Sequence, residues 1–151
     1  MRTLVSLGVS CGILVGLLVQ FSGALGILAW VAFAAWACYY AAGGKKEALL
    51  KIIPANLSGV AWGVIILFVV KAWGVPYAIG VVAAVAVALM CVQASWSVLG
   101  FIPGTFIGVA CFLGANADWQ GTSIALVIGA ILGFVSEQGA GLIGKIGAAK
   151  A

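Results

Sequence analysis

The sequence predicts an all-α membrane protein, a polytopic bundle of about six transmembrane helices, and three observations carry that prediction. Of 151 residues, 66% are apolar and only 7% are charged, so the chain has too little polar surface for a soluble fold. A spanning helix takes about 20 apolar residues, and the chain divides into six apolar segments near that length with short connectors. The charged residues fall at the segment ends, where they mark topology. One integral membrane domain over residues 1–151 follows, with the lipid bilayer as its first partner.

The net charge of +4 suggests nucleic acid at first sight. The lysines and arginine form no long patch, however, and that class is set aside. Cys11, Cys38, Cys91 and Cys111 lie inside apolar runs without metal-ligand spacing, so they read as small packing residues. The chain has no histidine, and no catalytic triad, metal cluster or phosphate-cradling loop can be assembled from it. It is read as no enzyme, with no metal and no cofactor. Arg2 before an apolar run resembles a signal peptide, but the run extends to Phe21, beyond the usual length of about 7–15 residues.

The first span, residues 4–21, carries Gly8, Gly12 and Gly16 on one face, a stripe suited to close helix packing. A turn at Ser22-Gly23 leads to the second span, 24–42, which ends in the basic loop Gly43-Gly44-Lys45-Lys46. Glu47 to Ile53 reads as an interfacial turn, and Pro54 as the first-turn proline of the third span, 54–73. Gly74-Val75-Pro76 opens the fourth, 76–94.

The fifth segment, 97–115, is either a crossing helix kinked at Pro103 or, counted from Pro103, a re-entrant stretch. Lysine placement favours the crossing. With six crossings, Arg2, Lys45, Lys46, Lys51, Lys145 and Lys150 share one side and Lys71 alone lies opposite, which places both termini in the cytoplasm. The sixth span, 119–136, has Gly129 and Gly133 on a second packing face, and a glycine-rich tail follows as a frayed or interfacial extension. Trp73, Trp96 and Trp119 sit near segment ends as an aromatic belt does. Phe33, Trp36 and Tyr40 share a face of the second span, where packing is the plain reading and narrowing of a conduit the other.

Within the apolar segments the polar side chains are neutral: Ser6, Ser10, Asn56, Ser58 and Thr105, with Ser95 and Ser97 at the edge. Each serves either as a helix-to-helix hydrogen bond or as part of a path. Pro103 stands 49 residues after Pro54, and Gly108 stands 49 after Gly59, which suggests an internal repeat. On the mid-helix reading, Pro103 frees the carbonyl of Leu99, and Gly104 and Gly108 let another helix approach. Asn56, Ser58, Thr105, Pro54, Pro103, Leu99 and Trp62 are the candidate path residues. Gly8, Gly12, Gly16, Gly59, Gly104, Gly108, Gly129 and Gly133 are the candidate packing residues.

At Ala55-Asn56-Leu57-Ser58-Gly59, at Phe101-Ile102-Pro103-Gly104-Thr105-Phe106-Ile107-Gly108 and at Tyr40-Ala41-Ala42-Gly43-Gly44, the chain resembles a family of small bacterial inner-membrane proteins called domain of unknown function 1097 (DUF1097). The resemblance covers nearly the whole chain and implies a multi-pass inner-membrane protein, without implying an activity. Asn56-Leu57-Ser58-Gly59 is also similar to an element that opens a half-helix beside the permeation path in urea transporters. Those have about twice as many spans, so this likeness implies an oligomer of half-sized units.

Two functions remain open from sequence. One is a passive channel or facilitator for a small neutral polar solute of urea or amide type, since polar residues lie at depth without an ionisable coupling group. The other is a non-transporting scaffold or accessory subunit, which needs only the packing motifs. Small-residue faces on the first, fifth and sixth spans favour a homo-oligomer in both cases.

Overall fold

The computed structural model describes residues 2–149. Six α-helices occur among them: α1 (Arg2–Leu25), α2 (Ala29–Ala41), α3 (Lys45–Trp73), α4 (Ala78–Gln93), α5 (Ile102–Gly114) and α6 (Trp119–Ala149). A short 3-10 turn, Ser97–Leu99, stands between α4 and α5. The expected all-helical bundle is therefore present, but its helices are unequal. Leu4–Leu25, Lys45–Trp73 and Trp119–Ile146 are long and apolar enough to cross a membrane, whereas Ala29–Ala41, Ala78–Gln93 and Ile102–Gly114 are apolar but shorter. At about 1.5 Å per residue, α2 and α5 measure about 20 Å against a hydrocarbon core of about 30 Å.

The turn chemistry explains most differences from the sequence boundaries. The first turn lies at Gly26, whose φ of 65° closes α1, so that helix runs past Ser22-Gly23 to Leu25 and α2 starts only at Ala29. Gly43 and Gly44 hold φ of 98° and 71° between α2 and α3. Helix α3 then begins at Lys45, and the expected interfacial turn at Glu47 to Ile53 is its first two turns. Pro54 consequently lies inside α3 and does not open it, which leaves the carbonyl of Leu50 without an N–H four residues on. Gly74, with φ of 63°, ends α3 and returns its N–H to the Val70 carbonyl. The tail beyond residue 136 continues α6 to Ala149.

At the fifth segment the backbone breaks outright at Gly100 and Phe101. Pro103 occupies the first turn of α5, where its missing N–H costs no helical bond. The kink expected within 97–115 is thus a gap between a 3-10 turn and a helix. Leu99 ends that turn and loses no helical partner to the proline.

The helices alternate in direction. Gly59 and Gly63 of α3 face Thr105 and Phe112 of α5, so these two run parallel, as do α2 and α6, where Gly129 and Gly133 face Ala32 and Tyr39. Ser10 of α1 lies by Gly139 and Ser6 by Gly144, an antiparallel pair. The 49-residue offset between the two proline motifs is therefore the contact register of α3 on α5, two helices packed against each other.

A different correspondence relates the halves. Every buried position of α3 from Ile52 to Ile66, namely Ile52, Ala55, Asn56, Gly59, Val60, Gly63 and Ile66, has a buried residue of α6 exactly 70 places on: Thr122, Ala125, Leu126, Gly129, Ala130, Gly133 and Ser136. Val31, Ala32, Ala35, Cys38 and Tyr39 of α2 map with an offset of 73 onto buried Gly104, Thr105, Gly108, Cys111 and Phe112 of α5. The short helix of each half packs on the long third helix of the other. With three alternating helices per half, the halves are inverted relative to each other. The outside is correspondingly apolar, with exposed residues such as Leu17, Phe68, Val85 and Ile131 turned outward.

Candidate functional site

The site is built where α3 and α5 touch through their main chains. A Cβ placed on Gly59 would collide with the Thr105 carbonyl, and one on Gly108 with the Asn56 carbonyl. Only residues without a side chain permit this approach. The crossing brings together Asn56 and Ser58 from α3 and Thr105 from α5.

Around it runs a network of neutral hydrogen bonds. Trp62 Nε1 donates to Gln93 Oε1 at 2.8 Å, and Gln93 Nε2 donates to Ser58 Oγ at 3.2 Å and Thr105 Oγ1 at 3.4 Å. Ser58 Oγ donates to the Ala55 carbonyl at 2.8 Å and also pairs with Thr105 Oγ1 at 3.4 Å. Thr105 is fully buried, whereas Ser58, Trp62 and Gln93 are half-buried. Gln93 was invisible to sequence reasoning because it is the last residue of α4 and reads as a span end. Only the antiparallel register of α4 on α3 carries it to Trp62.

Asn56 lies beside this network and outside it. Its side chain is 1% exposed, yet neither Nδ2 nor Oδ1 has a hydrogen-bond partner among the described residues. A Cβ on Gly104 would lie 3.0 Å from Asn56 Oδ1, so the amide lies against the first turn of α5. Thr122 Oγ1 is the other buried side-chain atom left unpartnered among the described residues. Unsatisfied amides are costly, by roughly 1–3 kcal/mol, and native folds keep few of them.

The remaining candidates sort differently. Pro54 and Pro103 shape α3 and the start of α5, while Leu99 stands in the 3-10 turn and makes no bond to the network. Ser95 and Ser97 are exposed at the break, outside the polar interior. A Cβ on Gly8, Gly12 or Gly16 would meet nothing within 4 Å, so the stripe on α1 makes no close crossing with another helix among the described residues. Gly104, Gly129 and Gly133, like Gly59 and Gly108, do pack closely.

A second polar cluster ties α1, α2 and α6, the counterparts of α4, α5 and α3. Ser136 Oγ donates to the Gly133 carbonyl at 2.7 Å, accepts from Trp36 Nε1 at 3.0 Å and pairs with Tyr40 at 2.6 Å. Ser10 Oγ donates to the Ser136 carbonyl at 2.9 Å. Phe33 stands edge-on to Trp36 with centroids 6.2 Å apart. Glu137 accepts from the Tyr39 hydroxyl and, at 2.8 Å, from the Lys45 N–H, capping α3 from another helix. This second cluster is fully bonded and reads as a strut. Among the described residues no group of His, Cys, Asp and Glu is placed to hold a metal ion.

An apolar exterior, alternating helices of unequal length and a neutral polar junction at a helix break define a polytopic membrane protein whose α3–α5 junction is held by hydrogen bonds without charge. The chain belongs to the family described as "Protein of unknown function (DUF1097)", whose profile it matches over residues 8–141. It is 33% identical over 142 residues to inner membrane protein YcdZ of Escherichia coli K12, covering 91% of this chain and 86% of that protein. The Salmonella typhimurium LT2 protein of the same name is 32% identical, with 91% and 88% covered. YahC of E. coli K12 is 28% identical, with 92% of each chain covered. No solved structure matches the chain.

Proposed function

We propose that the protein is a passive facilitator for a small neutral polar solute of amide type, and that the α3–α5 junction is its recognition point. The observation that carries this reading is Asn56, a buried amide with both ends unpartnered beside a network of hydroxyls, an indole N–H and a carboxamide. A fold that keeps such a group against its own stability has a use for it. No ionisable side chain takes part in the junction, which suits a passive route better than proton coupling. The alternation of the helices and the lysine-rich ends support both termini on the cytoplasmic side. The bare glycine face of α1 supports a homo-oligomer.

Proteoliposomes test the function. Vesicles bearing the protein are challenged with urea, acetamide, glycerol and salts while swelling is followed by light scattering. Faster entry of urea and acetamide than of glycerol and salts supports the reading. Permeability equal to that of empty vesicles for every solute transfers the protein to the scaffold reading.

A further inference from the structure

The carboxamide of Gln93 sits in a pocket of hydrogen-bonding groups that matches a carboxamide on both sides. The indole N–H of Trp62 has no lone pair to offer, so the atom 2.8 Å from it is the amide oxygen, and this fixes the orientation of the group. The amide nitrogen then faces Ser58 Oγ and Thr105 Oγ1. Ser58 has committed its own proton to the Ala55 carbonyl, which leaves it an acceptor towards Gln93. One fixed donor for a carbonyl oxygen and two hydroxyl oxygens for an NH2 group make a receptor for a primary amide. A carboxylate would leave an oxygen facing the Ser58 lone pairs, and an ammonium ion would face the Trp62 N–H.

The residue that fills this receptor is delivered from the end of a helix. Gln93 is the last residue of α4, followed by the turn at Ala94 to Trp96 and the 3-10 turn. The N–H groups of Ala94, Ser95 and Trp96 return to the carbonyls of Cys91, Val92 and Gln93, so Gln93 stands where the α-helical ladder gives way to a tighter turn. Helix ends open more readily than helix interiors.

We propose that Ser58, Trp62 and Thr105 form a binding site for the primary carboxamide group of a small solute, and that Gln93 occupies it as an internal surrogate which the solute displaces. This deepens the facilitator reading by naming the group recognised, and it rests on that reading only for the solute's passage. Asn56, whose Oδ1 lies against Gly104 next to Thr105, offers a further amide to a molecule that has entered.

Chemical rescue tests it without transport. Gln93→Ala and Gln93→Ser are purified as the full chain in detergent, and thermal unfolding is recorded with acetamide, acetate or N,N-dimethylacetamide in the buffer. The expected result is a lower melting temperature for both variants, of which acetamide restores at least half, while acetate and N,N-dimethylacetamide restore none. The wild-type protein, with its surrogate in place, gains less from acetamide. Adding Trp62→Phe to Gln93→Ala should abolish the rescue. Equal effects of acetamide and N,N-dimethylacetamide overturn the proposal. Failure of both variants to fold in acetamide also overturns it, because Gln93 is then a structural strut. Rescue in a protein that passes no solute keeps the site and removes the facilitator reading.

Discussion

Asn56 of α3 and Leu126 of α6 occupy equivalent positions in the two inverted halves, 70 residues apart and each 1% exposed. Their surroundings correspond as well. Asn56 precedes Gly59, which lies against Thr105, and Leu126 precedes Gly129, which lies against Ala32. The two crossings therefore share one backbone geometry and differ in chemistry. Leucine satisfies the position in one half, so the packing itself does not demand an amide in the other. The polar group at Asn56 is a departure from what the fold needs.

The close crossings make the glycines unequal. Gly59→Ala puts a methyl group into the Thr105 carbonyl, where backbone on both sides leaves nothing to move. A loss of about 1–3 kcal/mol is expected, typical of overpacking. Gly80→Ala, on the exposed side of α4, meets nothing within 4 Å and gains helix propensity, so its stability should hold or rise by up to about 1 kcal/mol. Thermal unfolding of the two variants side by side checks the contrast.

Ser136 ties α2 to α6 through its hydroxyl and α1 through its backbone carbonyl. Ser136→Ala strands the Trp36 N–H and leaves the Tyr40 hydroxyl only its weaker contact with Cys11 Sγ, for an expected loss of about 1–3 kcal/mol. Trp36→Phe added to Ser136→Ala should cost much less than Trp36→Phe alone, because the indole then has no bond left to lose. Equal costs in both backgrounds would show that the hydrogen bond contributes nothing.

The bare stripe on α1 predicts assembly. A Cβ at Gly12 meets nothing within 4 Å, and Gly12→Leu adds its bulk at the open edge of a groove lined by Phe33, Trp36 and Tyr40, so the monomer should fold while self-association weakens. Native mass measurement in detergent reads this directly. A wild-type protein that is monomeric across the accessible concentration range contradicts the homo-oligomer.

Much of this was legible in the residues, and for identifiable reasons. Apolar length and lysine placement give six helices and their alternation, because both are forced by the bilayer. The pairing of Asn56 with Thr105 was visible through the shared proline and glycine spacing, although that spacing marks contact register. The true equivalence of the halves was hidden, since Asn56 corresponds to Leu126 and Ile66 to Ser136, and burial is what they have in common. Gln93 was hidden too, because its partner Trp62 is 31 residues away and nothing local points to it. The helix ends moved wherever a glycine at positive φ, such as Gly26 or Gly44, decided the turn.

Asn56→Leu tests the central claim most directly when stability and permeation are measured on the same preparation. Copying the residue found at position 126 removes a buried, unpartnered amide, so the variant should unfold at a higher temperature, by the equivalent of about 1–3 kcal/mol. The same variant in proteoliposomes should lose the selective entry of urea and acetamide. A variant that is more stable and impermeable is the predicted outcome; one that is less stable, or that passes these solutes as fast as the wild type, contradicts the assignment of Asn56 to the path.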